Sequence, residues 1–183
     1  MKTIVLHASR YGSTKAIAEF IAERLCLQGI LADARSIGVD SDPGDYDAIV
    51  LGSAVYMQHW MDEAVEFVRR HRIVLMNRPV WLFSSGPLEL SPEVVLANNL
   101  KPEPKDIPEL QGAIHPRDHR IFFGALDPRK LGFKHRALRK LPAARAILPE
   151  GDFRNWKEIE AWADGIAQAL ESQHAASESG KEG

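Results

Sequence analysis

The sequence predicts an α/β fold in which helices cover both faces of a doubly wound, five-stranded parallel sheet. Apolar, β-rich segments alternate with segments of helical periodicity, as in right-handed βαβ crossovers. The segment 47–52 is almost continuously apolar, which is typical of a strand that is buried on both faces. Five strands with this spacing favour the order 2-1-3-4-5 over the six strands of a full dinucleotide-binding domain.

Each strand has its own signal in the chain. We expect the five strands over 3–8, 30–37, 47–52, 80–84 and 120–126. The first helix follows strand 1 and ends at Gly29, and another covers about 61–71. The last helix begins near Asn155, which has capping-box spacing to Glu158.

Two stretches interrupt this alternation. Residues 87–108 contain five prolines, and a loop of that length inside a compact domain is more often a lid or a mobile insertion than a regular element. A short helix starting at Ser91 is the alternative. We therefore predict one domain over 1–172, with 87–108 as an irregular insertion, and a disordered tail over 173–183.

The composition excludes several classes of protein. A net charge of -2 and a pI near 6.4 give no overall positive field for nucleic acid, so no nucleic-acid partner is expected. Cys26 is the only cysteine, so neither a disulfide framework nor a cysteine metal cluster can form within one chain. No stretch approaches the roughly 20 apolar residues that span a bilayer. We expect a cytoplasmic protein without a metal site.

The loop after strand 1 is the main candidate for ligand binding. In a doubly wound sheet, ligands bind beyond the carboxyl ends of the strands, where the strand order reverses. Backbone N–H groups, hydroxyls and a helix N-terminus at this point form a phosphate site. The residues of this loop are Ser9, Arg10, Tyr11, Gly12, Ser13 and Thr14.

The loop matches neither of the two common nucleotide patterns. It lacks the Gly-Lys-Ser/Thr ending of a Walker A motif and the spacing of the G-x-G-x-x-G fingerprint. Lys15 would oppose the helix dipole unless an anion were bound nearby. The other interpretation is that Ser13 or Thr14 only caps the helix and that Lys15 is a solvated surface residue.

The pattern Ser-Arg-x-Gly-x-Thr-Lys directly after strand 1 resembles the phosphate loop of the flavodoxin superfamily. Arg10 and the basic residue after Thr14 are similar to the branch that contains the bacterial menaquinone-dependent protoporphyrinogen dehydrogenases. The resemblance implies a flavodoxin-like fold and non-covalent binding of flavin mononucleotide (FMN).

Under that resemblance, two more loops would lie beside the flavin. The loop after strand 3 would contribute Ser53, Ala54, Val55, Tyr56 and Met57, and the loop after strand 4 would contribute Ser84, Ser85 and Gly86. The related enzymes tend to carry Arg-Tyr-Gly where this chain has residues 56–58, which bears on the substrate more than on the flavin. Trp60 either stacks on the flavin or packs under the next helix. His59 is the one local proton donor, but a flavin exchanges protons with water, so we assign no catalytic residue.

Residues 117–145 form a basic segment with nine Arg or Lys residues against two acidic residues. Its cations alternate with apolar residues, a pattern that fits an anionic membrane surface, an acidic partner or a carboxylate-bearing substrate. The alternative is an ordinary solvated face, since Pro142 interrupts any long helix. The histidines in and beside this segment lack metal-ligand spacing.

The resemblance implies an FMN-dependent oxidoreductase that takes electrons from protoporphyrinogen IX and passes them to a quinone, working at or near the inner face of the membrane. FMN would supply the redox chemistry and the protein would supply binding and orientation. Two other functions stay open, an electron carrier of the flavodoxin type and a flavin-free interaction or sensor module.

Overall fold

The computed structural model describes residues 1–38, 40–86, 103–127, 129 and 150–179. Most of the expected insertion and of the basic segment, namely 87–102, 128 and 130–149, therefore lies outside the described residues, as does the end of the chain over 180–183.

The described residues form alternating strands and helices. The strands are β1 (Lys2–Ala8), β2 (Leu31–Ser36), β3 (Ala48–Tyr56), β4 (His59–Trp60), β5 (Val80–Ser85), β6 (Asp118–Phe122), β7 (Ala125–Leu126) and β8 (Gly151–Asp152). The helices are α1 (Ser13–Leu27), α2 (Asp62–Arg70), α3 (Arg72–Met76), α4 (Ile107–Ile114) and α5 (Trp156–Ser179).

The predicted sheet is confirmed. Five parallel strands pair in the order β2-β1-β3-β5-β6, which is the expected order 2-1-3-4-5 once the short strand β4 is set aside. The chain reverses its direction of winding between β2 and β3, so the switch point lies between β1 and β3. The carboxyl ends of neighbouring strands lie side by side, because Ala8 pairs with Ser53 and Ala54 pairs with Ser85.

Two apolar clusters, one on each face of the sheet, hold the fold together. Alternate residues of each strand point to opposite faces. Val5 faces the layer formed by α1 and α5, where it joins Ile17 and Trp162. Ile4 faces the other layer, where it joins Phe67 of α2. Both faces of the sheet are therefore covered, which explains the continuous apolar run of β3.

Two features of the described chain were not expected. Helix α4 begins where the irregular insertion was predicted to end. Pro108 lies in its first turn, and Ile107, Leu110 and Ile114 form one buried face. The expected strand 120–126 is also broken, because β6 ends at Phe122 and β7 pairs with β8 in a separate two-stranded sheet.

The last helix is longer than predicted. Helix α5 continues to Ser179, seven residues beyond the predicted domain end at Ser172, so a disordered tail starting at 173 is incorrect for 173–179. The segment after Ser172 is rich in Ala, Glu and Gln, which favour helix, and this propensity outweighs its small, polar character. Within the described residues, every helix is too short or too polar to cross a membrane.

Candidate functional site

The loop between β1 and α1 has the geometry of an anion site. Gly12 is the residue before α1 and has φ +90°, a left-handed conformation that glycine adopts without strain. Its N–H donates to Ser9 Oγ at 3.2 Å, which closes the loop. The first turn of α1 contains no acidic residue, and no side chain of the preceding residue caps it. The N–H groups of this turn are thus available to a negatively charged ligand.

The two hydroxyl residues at the start of α1 are placed differently. Thr14 is almost fully buried. Ser13 lies at the surface of the loop, where its Oγ accepts a hydrogen bond from Ala125 N at 2.9 Å. A hydroxyl that accepts one bond keeps its proton for a second partner, so Ser13 joins the β6–β7 loop and can still donate to a ligand.

Three loops meet at this edge of the sheet. Gly86, after β5, has φ +85° and donates its N–H to the carbonyl of Phe122 at 3.0 Å. A Cβ on Gly124 would lie 3.5 Å from both Gly86 N and Ser13 Oγ. These are ordinary van der Waals distances, so the loop after β6 lies directly against the loops after β1 and β5. The contact of Gly124 with these two loops was not predicted from the sequence.

The loop after β3 is a tight hairpin. Val55 pairs with Trp60, and Tyr56 pairs with His59, so residues 57 and 58 form a two-residue turn. Met57 and Gln58 have φ +49° and +67°. Positive φ at both positions is the geometry of a type I′ turn, which usually contains Asn and Gly because other side chains are strained there. Met57 is 93% exposed.

Contacts from distant segments fix this hairpin. The carboxylate of Asp106 accepts from Trp60 N at 2.8 Å and lies 3.1 Å from His59 Nδ1. Lys105 N donates to Gln58 O at 2.8 Å. Asp106 precedes α4 but does not cap it, so its carboxylate serves the hairpin instead. Asp106 was not predicted as a site residue, and only the tertiary contact reveals it.

Two of the predicted serines support the hairpin from beneath. Ser53 is fully buried, and its Oγ accepts from Met61 N at 3.0 Å. Ser84 is also fully buried, and its Oγ accepts from Trp60 Nε1 at 2.8 Å and lies 2.9 Å from His119 Nε2. Their hydroxyls are therefore used within the protein, and these residues could meet a ligand only through the backbone.

The structure decides between the two interpretations of Trp60. Its side chain is 2% exposed and packs in the cluster under α2. Trp60 thus anchors the hairpin to the core. Burial lowers the pKa of His119. Its neutral imidazole can therefore accept a hydrogen bond from the Ser84 hydroxyl.

An aromatic and cationic cluster joins the phosphate loop to the hairpin. The rings of Tyr11 and Tyr56 meet edge to face, with their centroids 6.3 Å apart. The guanidinium of Arg10 lies 5.9 Å from each ring centroid. Burial, followed by the neighbouring Tyr11, raises the pKa of Tyr56 to about 12, so its hydroxyl stays protonated at neutral pH.

The other side of the phosphate loop borders a cleft toward the sheet edge. The cleft is lined by His7, Ser9, Gly12, Lys15, Glu19, Ala34 and Ser36. Burial lowers the pKa of His7. Lys15 pairs with Glu19 at 3.6 Å, so its charge is partly compensated within α1.

No group of three or more His, Cys, Asp or Glu side chains that could hold a metal ion occurs in the part of the chain that the structure describes. Three cations of the basic segment are described, and each has a partner. Arg120 pairs with Asp118 and Arg129 with Asp127, while Arg117 binds Gln173.

Curated proteins of similar sequence are named as dehydrogenases. The chain is 32% identical over 95 residues to a protein named protoporphyrinogen IX dehydrogenase (quinone) from Escherichia coli K12, and the match covers 51% of this chain and 52% of that protein. The same values hold for its namesake from Escherichia coli O157:H7. The chain thus spans about half the length of the curated relatives it matches.

Solved structures match over nearly the whole chain. An archaeal flavodoxin has a TM-score of 0.56 at 16% identity and covers 93% of this chain and 99% of its own. Rubredoxin oxygen:oxidoreductase from Desulfovibrio gigas has a TM-score of 0.60 at 15% identity, over 95% of this chain and 37% of its own. At these identities the likeness concerns the fold. The family model described as flavodoxin domain matches residues 4–145, well over half of the sequence, and the chain therefore belongs to the flavodoxin family.

Proposed function

We propose that this protein binds FMN and works as an FMN-dependent oxidoreductase. The observation that carries the proposal is the β1–α1 loop, where Gly12 turns the chain so that the first N–H groups of α1 are open to an anion at the switch point of the sheet. A phosphate monoester fits this donor set. The loop offers hydroxyls and N–H groups but no Walker lysine, which suits a phosphate that is held rather than transferred.

The residues of the other two loops would hold the ring end of the cofactor. Tyr56 and Met57 extend from the hairpin, and Ser85 and Gly86 offer backbone groups at the end of β5. When bound, FMN supplies the redox chemistry, as the uptake and release of electrons. The chain contributes rigidity, because the hairpin is hydrogen-bonded to β5 through Ser84 and to the start of α4 through Asp106. His59 is turned toward Asp106, so no acid or base is assigned.

A matched pair of variants tests the cofactor assignment. Thr3 and Thr14 are each 1% exposed, and Thr3 lies in β1 away from the loop. Thr14→Val should raise the Kd for FMN about 10-fold, because a hydrogen bond to a charged phosphate is lost. Thr3→Val should leave that Kd unchanged. Flavin fluorescence during titration of the apoprotein measures both. Equal Kd values for the two variants would show that Thr14 does not bind the phosphate of FMN.

The substrate proposal rests on the curated relative. We infer that the electron donor is a porphyrinogen and the acceptor a quinone, as the name of the Escherichia coli protein states for that protein. The test incubates the FMN-loaded protein with protoporphyrinogen IX and menadione without oxygen and follows the fluorescence of protoporphyrin IX. Fluorescence that depends on both FMN and menadione supports the proposal. A protein that binds FMN but produces no porphyrin under these conditions would instead be an electron carrier or another quinone-linked reductase.

The expected contact of the basic segment with an anionic membrane stays a prediction, since most of 117–145 lies outside the described residues. We propose that the protein co-sediments with phosphatidylglycerol vesicles at low salt and is released at about 0.5 M salt, where screening is strong. Neutral phosphatidylcholine vesicles are the control. Equal binding to both vesicle types would contradict an electrostatic contact.

A further inference from the structure

Arg10 differs in its ion pairing from the cations of α1. Its side chain is exposed, and no carboxylate lies within ion-pair distance among the described residues. Lys15, in the first turn of α1, pairs with Glu19, and Arg24, further along α1, pairs with Asp164 at 2.6 Å. An unpaired guanidinium beside a binding loop is a ready site for a carboxylate or phosphate.

The guanidinium of Arg10 lies beside the β3–β4 hairpin as well as beside its own loop. Its guanidinium lies 5.9 Å from the ring of Tyr56, which belongs to the β3–β4 hairpin and not to the phosphate loop. The same group lies 5.9 Å from the ring of Tyr11. The two rings hold the guanidinium in place, and Tyr56, which keeps its proton, does not cancel its charge.

An apolar contact surface lies next to this cation. Met57 follows Tyr56 directly and is 93% exposed in a left-handed conformation. This conformation costs stability and the exposed side chain buries no apolar area in return. Lys105 and Asp106 nevertheless hold the turn in this shape. Strain that the surrounding structure maintains is typical of ligand contacts.

We propose that Arg10 binds a carboxylate of the substrate while Tyr56 and Met57, which would also border the flavin, contact its apolar ring system. This inference rests on the proposed function and specifies the substrate class as ring compounds that carry at least one carboxylate. A guanidinium can hold a carboxylate through two parallel hydrogen bonds, which a lysine in the same place cannot do. Arg10 is therefore a specificity residue for the charged edge of the substrate.

The test compares an acid with its neutral ester on the FMN-loaded protein. The probes are a 1,4-naphthoquinone that carries a propionate side chain and the methyl ester of the same compound. Calorimetric titration measures the Kd of each for the oxidised protein, so the readout does not depend on turnover. Arg10→Gln should raise the Kd of the acid about 10-fold and that of the ester less than about 2-fold. The Kd of the acid for Arg10→Lys should lie between the values for Arg10→Gln and for the wild type.

A charge-matched control removes the simple effect of net charge. Arg69 lies in the last turn of α2 and pairs with Glu109, away from the phosphate loop. Arg69→Gln makes the same charge change and should leave the Kd of the acid unaltered. If Arg69→Gln and Arg10→Gln weaken the acid equally, the effect is one of overall charge and the proposal is overturned.

Titration of each apoprotein with FMN and with riboflavin separates the remaining outcomes. If Arg10→Gln weakens the binding of FMN but not the binding of riboflavin, Arg10 is a phosphate ligand and the proposal is wrong. If the wild type binds FMN but holds the acid no more tightly than the ester, the proposal is also wrong while the proposed function stands. A wild type that binds no FMN contradicts the proposed function itself.

Discussion

The β1–α1 loop and the β3–β4 hairpin form two walls of the candidate site, but they are shaped in different ways. In the loop, Gly12 supplies the left-handed turn and the adjacent helix supplies the N–H groups, all within six residues. In the hairpin, Met57 and Gln58 take up a left-handed turn that their side chains disfavour. Asp106, nearly fifty residues away, holds them there.

The loop and the hairpin differ in the source of the free energy that stabilises their left-handed turns. A glycine in a left-handed turn needs no support from elsewhere, so the loop is preorganised by its own sequence. The hairpin depends on long-range hydrogen bonds, which exist only after β5 and α4 have packed on the sheet. Variants that remove either kind of support test this contrast.

Removal of the Asp106 carboxylate should have the largest effect. Asp106→Ala leaves the partly buried N–H of Trp60 without its charged acceptor, and we expect the free energy of unfolding to fall by about 2 kcal/mol. Urea denaturation measures this change. Glu109→Ala, in the first turn of α4, breaks only an exposed ion pair with Arg69 and should cost less than about 0.5 kcal/mol. Equal losses would show that the hairpin does not depend on Asp106.

Gly12→Ala should have the next largest effect. A Cβ at φ +90° strains the backbone by about 1 to 2 kcal/mol, and the same change should weaken FMN binding by tilting the loop N–H groups. Gly112→Ala in α4, where a Cβ would meet no atom within 4 Å, is the control and should raise stability slightly. Thermal unfolding compares the two. A neutral Gly12→Ala would mean that the loop is not held in this conformation.

A smaller change of opposite sign is expected at the hairpin turn. Gln58→Gly removes the strain of a side chain at φ +67° and should stabilise the protein by about 0.5 to 1 kcal/mol. Gln111→Gly places the same substitution in the exposed part of α4, where glycine should cost about 1 kcal/mol. If both variants lose stability in urea, the turn is not strained.

The smallest effect concerns pH. Burial lowers the pKa of His119 below its usual value of 6.5, so the unfolded chain binds a proton at a higher pH than the folded protein does. The stabilising effect of the neutral imidazole is present above about pH 6.5 and is lost as the pH falls below it. His119→Gln should therefore flatten the decrease in stability between about pH 7 and pH 5. Part of this decrease in stability should remain in the variant, because burial lowers the pKa of His7 as well. Urea denaturation at several pH values measures this decrease, and an equal decrease in His119→Gln and the wild type would contradict the role of His119.

Much of the fold could be predicted because its signals are local. The apolar run of β3, the turn at Gly12 and the helical periodicity of α1 each lie within one short segment. The short helix α4 was missed because its eight residues follow a proline-rich stretch that hides its periodicity. The end of α5 was placed too early because polar composition counted for more than helix propensity.

By itself, the sequence determined the order of strands and the family, and it predicted the β1–α1 loop as the candidate phosphate site, since these depend on residue types within contiguous segments. Only the tertiary structure decided that Trp60 and Ser84 lie beneath the site and that Asp106 shapes the hairpin. It also decided that Arg10 lies between two tyrosine rings. The physical reason is that side-chain hydrogen bonds and ring contacts join residues far apart in the chain, and these partners are chosen by packing rather than by neighbouring sequence.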